Sequence, residues 1–319
     1  MPLLSICIAT RNRPNDLIQC LESLLLLEDY PFEVIVVDDA SDVVIQTEIQ
    51  NLVSQSVIKR TKFIRQSTNK GLIATRNELA LQARSQYIMS LDDDACLLDA
   101  DSIHKAVQVL ENDSCIGAVA LAQTNKTGYL LPSFMQPAPV AYDCYSQSFR
   151  GYGHILRRDL FIKLGGYRGE FIYGHEEVEY CKRLLNIGFN VVYLTKAKVI
   201  HNHSPIGRSE LVRLRNGCRN ACFDALYNEP LLMCIFSIPY RIIGYIRWRK
   251  VPCDYYGFSD EGGVIWQLNE LYNNFSQIWR KRKPLKWSTY VKWRQIGKHW
   301  PAYNINQLQS DSEKLNGEQ

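Results

Sequence analysis

The sequence lacks the patterns that mark several classes of protein. Its ten cysteines show no paired C-x-x-C spacing, which argues against a zinc site and favours reduced thiols. No glycine-rich turn follows the first apolar run, so a nicotinamide-dependent dehydrogenase is not expected. Internal repeats and low-complexity tracts are also missing. With 46% hydrophobic and 22% charged residues, the 319-residue chain has the composition of ordinary globular domains.

The chain starts with an apolar run over residues 3–9, which Arg11 and Arg13 close. No basic segment precedes the run, and no small-residue cleavage site follows it. We therefore predict a first β-strand of a cytoplasmic protein and not a signal peptide.

Up to about residue 123, short apolar runs alternate with segments of helical periodicity. The predicted strands are residues 3–9, 33–37, 57–64, 87–91 and 116–121. The predicted helices are residues 15–27, 43–53, 72–83 and 102–110. Such alternation indicates an α/β fold with a Rossmann-like, mainly parallel central sheet and flanking helices. Further on, the pattern predicts a helix over 176–186 and strands over 189–194 and 198–201.

Polar residues follow three of the predicted strands directly. They are residues 10–12 after the first strand, 38–39 after the second and 92–94 after the fourth. Because ligands bind outside the carboxyl ends of parallel strands, this placement predicts a single site at that edge of the sheet.

The acidic triplet Asp92, Asp93 and Asp94 is the most informative of these clusters. Alternation along an extended backbone places Asp92 and Asp94 on the same side, where both can approach one divalent cation. Carboxylate-held Mg²⁺ or Mn²⁺ commonly serves a phosphate-bearing ligand. The alternative is a solvated acidic turn.

Two further segments fit such a ligand. Asp39 ends a strongly hydrophobic strand, where its carboxylate can accept hydrogen bonds from a base or from ribose hydroxyls. The alternative is that Asp39 or Ser41 caps the following helix. Arg76 lies about one turn into a helix that begins near Gly71, where an arginine can reach a diphosphate oxygen. An arginine on the surface of an amphipathic helix is the alternative.

Together these segments resemble a family 2 glycosyltransferase of the GT-A fold. The matching segments are residues 5–13, 33–41, 69–71 with 74, 76 and 77, 91–94, and 165–167 followed by 174–183. The resemblance covers roughly residues 3–204, in the family's order. It implies a nucleoside-diphosphate sugar donor, Mn²⁺ or Mg²⁺, and inversion at the anomeric carbon.

The resemblance also implies roles on the donor side of the site. Thr10, Arg11 and Asp39 would line the nucleoside pocket. Arg76 would face the donor's phosphates or help to shape their pocket, and Asp93 would belong to the nucleotide-sugar-binding set.

The implied metal ligands are Asp94, Asp92 and His201. Asp92 would contact the ribose or belong to the metal's shell, and Asp94 would bind the metal directly. His201 matches by position a histidine that completes the coordination in some members of the family; a structural histidine is the alternative.

The resemblance places the general base in the pair Glu176 and Glu177. The family's usual aspartate is replaced here by Glu177, which is one methylene longer, and Glu176 remains a rival. Glu179 and Arg183, four residues apart on the same helix, are predicted to form a supporting ion pair. The alternative is that these glutamates are only the charged first turn of a helix.

The part of the chain after residue 204 differs in composition. Residues 205–300 contain 16 Lys/Arg against 7 Asp/Glu, and all six tryptophans lie there. We predict a catalytic domain over 1–204, a basic, Trp-rich helical extension over 205–303 and a disordered tail over 304–319. The extension resembles relatives only loosely, through Arg215 and Arg219-Asn220.

The apolar stretch 231–246 is interrupted by Pro239 and Arg241, and we expect it to be too short and too broken to span a bilayer. Basic segments with tryptophan lie beside it, so it can lie flat on an anionic membrane surface. A subdomain that packs on the sheet or forms a homodimer interface is the alternative. Nucleic acid is not expected as a partner, because no nucleic-acid-binding motif accompanies the basic residues.

The sequence thus predicts an inverting glycosyltransferase with a UDP-sugar donor, ahead of dTDP or GDP. Its acceptor would be a hydroxyl of a glycan or a lipid-linked saccharide at the cytoplasmic face of the membrane. One alternative is a metal-dependent nucleotidyl or phosphoryl transferase, although an aspartate nucleophile is missing after the first strand. The other is an inactive nucleotide-sugar-binding protein, against which the retained carboxylates argue.

Overall fold

Four parallel strands form one half of the central sheet. They are β1 (Leu4–Thr10), β2 (Phe32–Asp38), β3 (Thr61–Arg65) and β4 (Tyr87–Asp92), in the spatial order β3-β2-β1-β4. The computed structural model describes residues 2–304, so the predicted disordered tail lies outside the described residues except for Asn304.

The helices of this half follow the predicted alternation. They are α1 (Pro14–Ser23), α2 (Ile45–Ile49), α3 (Gln55–Ile58), α4 (Leu72–Gln82) and α5 (Ala100–Asn112). Buried residues alternate along the strands between two cores: Leu4, Ile6 and Ile8 of β1 face the core under α1 and α5, whereas Cys7 faces the core under α4.

The second half of the sheet is mixed. Its strands are β5 (Ala95–Leu97), β6 (Ile116–Thr124), β7 (Cys144–Ser146), β8 (Gly153–Arg157) and β9 (Asn190–His201). β8 lies between β4 and β6 and runs antiparallel to both, whereas β6 and β9 are parallel. β5 and β7 each pair antiparallel with β9. The remaining helices of this half are α6 (Arg158–Lys163) and α7 (Glu176–Asn186).

The structure corrects several predicted boundaries. Residues 57–58 belong to a helical turn and only Thr61–Arg65 is a strand, because a short apolar run fits a strand or a buried helical turn equally well. Only Ile45–Ile49 is helical within the predicted 43–53, and α1 gives way to a 3₁₀ turn at Leu24–Leu27. The two predicted strands at 189–194 and 198–201 form the single strand β9, which has an irregular register between Leu194 and Lys198.

The part after residue 204 is helical, as predicted. It contains α8 (Glu210–Asn228), α9 (Leu231–Trp248), α10 (Lys250–Tyr256), α11 (Gly263–Lys281) and α12 (Trp287–His299). α8 packs against α7, and the chain then returns to the sheet, where Tyr303 N–H donates to Asp143 O over 2.8 Å. The domain boundary at residue 204 stays a prediction.

Candidate active site

The polar strand ends predicted from the sequence lie side by side. In the register of the sheet, Thr10 pairs with Asp38 and Ala9 with Asp92, so the chain leaves β2, β1 and β4 at one edge. Asn12 and Ala40 have φ angles of +56° and +55°, which turn the chain sharply after β1 and β2. Side chains from the ends of all three strands therefore meet at this edge, and we refer to this region as the cleft.

Asp39 is held by the segment that leads into α4. Its two carboxylate oxygens accept backbone hydrogen bonds from Lys70 N–H at 2.7 Å and Gly71 N–H at 2.9 Å. Gly71 has φ +85°, a conformation that favours glycine. The alternative that Asp39 caps the following helix is wrong, because Val44 occupies the N-cap of α2. Arg11 is exposed at the end of β1.

The three predicted metal ligands converge. One donor atom each from Asp92, Asp94 and His201 lie within 4.8 Å of one another. His201 Nε2 is 3.1 Å from Asp94 Oδ1, yet both ring nitrogens of His201 are buried without a hydrogen-bond partner among the described residues. Two carboxylates and an imidazole whose buried nitrogens lack a hydrogen bond form a donor set that a divalent cation would satisfy, so these residues fit the implied metal.

Asp94 is kept ionised by its surroundings. Its Oδ2 accepts hydrogen bonds from Ser204 N–H and from Arg208 Nη2, both at 2.8 Å. Burial acts to raise the pKa of Asp94, but the imidazole of His201, the Ser204 N–H and Arg208 together lower it well below its ordinary value. Sequence reasoning missed Arg208, which lies in a loop after β9 without a motif.

Asp93 points to the end of β1. It accepts a hydrogen bond from Thr10 Oγ1 at 2.8 Å and pairs with Arg13 Nη1 at 2.9 Å. Burial raises the pKa of Asp93 to about 7, against the lowering effect of Arg13. Arg13 also donates through Nε to Ile206 O at 3.1 Å, and so ties the end of β1 to the loop after β9. Arg13 lies in the segment 5–13 that carries the resemblance, but its role was not predicted.

Arg76 connects the acidic groups of the cleft. Its Nη2 lies 2.6 Å from Asp92 Oδ1, and its Nη1 lies 2.9 Å from Glu176 Oε1 and 3.7 Å from Glu177 Oε1. The side chain is only 6% exposed. The guanidinium is therefore engaged within the protein, and the role of Arg76 toward a donor stays a prediction.

The two candidate bases have different surroundings. The Glu176 side chain is 2% exposed and the Glu177 side chain 16%. Burial, and then the charge of Glu177, raise the pKa of Glu176, whereas Arg76 lowers it. A Cβ at Gly151 would lie 2.9 Å from Glu177 Oε1, so the backbone of residue 151 forms a wall of this site.

The helix that carries these glutamates is firmly anchored. Arg183 Nη2 pairs with Glu179 Oε2 at 2.7 Å, which confirms the predicted ion pair, and Arg168 Nε pairs with Glu179 Oε1 at 2.7 Å. Glu179 is fully buried and its charge is matched by these two arginines.

The loop before α7 is strained and is held by α8. Ile172 and His175 have φ angles of +62° and +74°, which are uncommon for residues with a side chain. Asn220 Nδ2 lies 2.8, 2.9 and 2.6 Å from the carbonyl oxygens of Phe171, Tyr173 and Gly174. Asn220, which the sequence singled out only through a loose resemblance, therefore fixes the entry into α7.

Solved structures share the fold of this chain. The mannosyltransferase PcManGT from Pyrobaculum calidifontis, in complex with GDP-Man and Mn²⁺, superposes with a TM-score of 0.57 at 13% identity, over 93% of this chain and 87% of its own. Residues 1–349 of S. aureus TarS, also solved with UDP, superpose with a TM-score of 0.57 at 15% identity, over 100% and 92% of the two chains. These likenesses confirm the predicted GT-A fold.

The family follows from the sequence comparison. A model of glycosyl transferase family 2 matches residues 5–179, more than half of the chain, and the chain belongs to this family. An uncharacterized glycosyltransferase of Haemophilus influenzae is 28% identical over 171 residues, 51% of this chain and 56% of the relative. Escherichia coli K12 WcaA, a glycosyl transferase whose name refers to colanic acid biosynthesis, is 33% identical over 93 residues, 29% of this chain and 33% of the relative. The chain thus spans about half or less of the length of these curated relatives.

Proposed function

We propose that this protein is an inverting glycosyltransferase that moves a sugar from a nucleoside diphosphate to a hydroxyl of a saccharide acceptor. The observation that carries the proposal is the convergence of Asp92, Asp94 and His201 at 4.8 Å or less, in the cleft that Arg76 connects to Glu177. The cleft thus combines a candidate cation site with a partly exposed carboxylate. Family 2 membership and GT-A neighbours support this reading.

On the donor side, we propose that Thr10, Arg11 and Asp39 line the nucleoside pocket. Asp39 is fixed by two backbone N–H groups and Thr10 by Asp93, so the walls of the pocket are already ordered. We propose UDP as the nucleotide; TarS, solved with UDP, is among the neighbours, whereas PcManGT was solved with GDP-Man.

Asp94, Asp92 and His201 would hold the cation. A carboxylate pair with one imidazole suits Mn²⁺ better than Mg²⁺, which favours oxygen ligands. When bound, the cation supplies positive charge that offsets the negative charge developing on the departing diphosphate.

Glu177 acts as the general base. Its carboxylate takes the proton from the acceptor hydroxyl as that oxygen attacks the anomeric carbon from the face opposite the diphosphate. Glu176 is buried against Arg76 and positions this group. We propose a glycan or lipid-linked saccharide as the acceptor. The match to WcaA, whose name refers to colanic acid biosynthesis, supports a saccharide acceptor.

A panel of nucleotide sugars tests this function. With the correct donor and Mn²⁺, we expect a higher melting temperature, since a ligand at about 100 times its Kd stabilises the folded state by about 2.7 kcal/mol. Asp94→Asn should remove the Mn²⁺-dependent part of the shift. Asp101→Asn, an exposed aspartate that pairs with Lys105 on α5, is the matched control and should leave it unchanged.

The product separates this reaction from nucleotidyl transfer. From a nucleotide sugar, sugar transfer releases a nucleoside diphosphate, whereas nucleotidyl transfer would release a sugar 1-phosphate. A sugar 1-phosphate as the product, or an equal shift with and without Mn²⁺, would contradict the proposal.

A further inference from the structure

One face of α9 is apolar and open along the length of the helix. Leu232, Ile235, Phe236, Tyr240 and Ile243 are 58%, 62%, 64%, 78% and 47% exposed, and we refer to them as the α9 face. No acidic side chain lies in α9. Helices of water-soluble domains normally carry polar side chains on the side that faces water. An exposed apolar face of this size therefore indicates an interaction surface.

The opposite side of α9 is committed to the protein. Cys234 and Tyr245 are buried, and Arg241, near the middle of the helix, pairs with the buried Glu229 at 2.7 Å. Glu229 also lies 3.5 Å from the buried Lys182 of α7. The α9 face is therefore held outward by a packed and ion-paired inner side.

The structure corrects the expected length of this segment. Pro239 lies inside α9 without ending it, and residues 231–256 form a helical stretch of 26 residues that is long and apolar enough to cross a bilayer by composition. Such a segment is weak evidence of a span by itself. A crossing would require separating Arg241 from Glu229 and placing Arg241 in hydrocarbon, which is costly.

The carboxyl end of α9 and the following α10 together have the composition of a membrane interface. Trp248 and Tyr255 are 71% and 81% exposed, and Arg247 and Lys250 are exposed beside them. Asp254 is the single acidic residue between positions 231 and 256, against four Lys or Arg. Exposed apolar, aromatic and basic side chains together match the headgroup region of an anionic bilayer.

We propose that the α9 face docks on the surface of an anionic lipid bilayer, with α9 lying along it and Arg247 and Lys250 contacting the headgroups. Burial of apolar side chains supplies the binding energy, and the two cations supply the preference for anionic lipid. This inference does not depend on the sugar-transfer reaction, since the contact requires no donor, metal or acceptor.

Sedimentation of the full chain with vesicles tests the docking. We expect binding to vesicles of phosphatidylcholine with phosphatidylglycerol, and weaker binding to phosphatidylcholine alone. Arg247→Ala with Lys250→Ala should weaken binding to the anionic vesicles about 25-fold, roughly fivefold per charge, and leave binding to neutral vesicles unchanged. Tyr240→Glu should weaken binding to both.

Tyr272→Glu is the matched control, because Tyr272 on α11 is 83% exposed and lies outside the α9 face. It should bind as the wild type does, and circular dichroism should show both glutamate variants folded. Loss of binding in the control, or a wild-type chain that binds neither vesicle, would overturn the proposal. So would binding that resists an alkaline carbonate wash, which indicates a span, or a wild-type dimer that Tyr240→Glu converts to a monomer, which indicates an interface between copies of this chain.

Discussion

At the scale of single residues, two neighbouring carboxylates of the candidate site have different surroundings. Glu176 is buried against Arg76, whereas the adjacent Glu177 keeps part of its surface exposed. A general base must reach the acceptor hydroxyl, and a buried, ion-paired carboxylate cannot do so without losing its partner. Exposure and not sequence position distinguishes the two.

Glu177→Gln should lower kcat for sugar transfer by about 10²- to 10⁴-fold, the usual contribution of a general base. The donor's Kd should stay the same, because the variant keeps the size of the side chain and leaves the nucleoside pocket intact. Steady-state kinetics and donor titration measure the two effects. If Glu177→Gln retained full transfer while Glu176→Gln abolished it, the base would be Glu176.

His154 makes stability depend on pH. It is fully buried, with Nδ1 3.0 Å from Arg150 O and Nε2 3.0 Å from Tyr167 Oη, and burial, followed by the charge of Arg76, lowers the pKa of His154 to about 3. Below about pH 6.5 the unfolded chain binds a proton at this histidine that the folded chain does not. The contribution of His154 to the unfolding free energy is therefore full above that pH and falls on acidification.

The expected slope from His154 is up to about 1.4 kcal/mol of unfolding free energy per pH unit, between about pH 6.5 and 4. Urea unfolding across this range should therefore show a flatter dependence on pH for His154→Gln than for the wild type. His104→Gln, at an exposed histidine on α5, is the control and should keep the wild-type slope. Parallel curves for His154→Gln and the wild type would show that another group carries the dependence.

At the scale of elements, the segment that leads into β8 contributes to the site through a glycine, Gly151, which leaves space for the side chains of Arg76 and Glu177. A Cβ at Gly151 would lie 2.5 Å from Arg76 Nη2 and 2.9 Å from Glu177 Oε1. The residue two positions before β8 therefore has to be small, although no part of the recognised motifs lies there. β8 itself reaches this position because it inserts antiparallel between β4 and β6.

Gly151→Ala should displace the Arg76 guanidinium from the carboxylates and reduce kcat by at least about tenfold, since an error near 1 Å in a catalytic arrangement is costly. Gly217→Ala is the control: Gly217 is exposed inside α8 with nothing within 4 Å of an added Cβ. It should keep full activity and raise stability by about 0.5–1 kcal/mol. Unchanged activity in Gly151→Ala would contradict the packing argument.

At the scale of the whole molecule, the C-terminal helices support the elements that carry the candidate site. Asn220 of α8 holds the strained loop before α7, and Lys182 of α7 is buried 2.6 Å from Asp224 of α8. Buried charges with one partner removed are strongly destabilising, so the two parts depend on each other for stability. The boundary at residue 204 stays a prediction, and the two parts on either side of it pack together through these contacts.

Asn220→Leu should remove the hydrogen bonds to the loop while keeping the volume of the side chain. Because buried carbonyls lose their donor, we expect a loss of about 1–3 kcal/mol in unfolding free energy. The freed loop should also lower kcat more than it changes KM for the donor. Asn273→Ala, an exposed asparagine on α11, should change neither. A loss of stability with full kcat would show that the loop does not position Glu177.

Local patterns in the sequence determined the parallel strands, the acidic cluster at their ends and the helical C-terminal part. These features depend on side-chain periodicity and on the rule that parallel strands end at one edge of the sheet. Both can be recognised from residues that are close together in the sequence. From residue 142 onward the pattern becomes irregular, and β7 and β8 were therefore not predicted from it.

Only the tertiary structure decided which groups meet. Arg76 pairs with Asp92, 16 positions away, and with Glu176, 100 positions away. Arg208 pairs with Asp94, which is 114 positions away. It also decided that Glu177 is more exposed than Glu176 and that the α9 face remains open. Burial and electrostatics depend on distances between elements, and a linear pattern does not contain those distances.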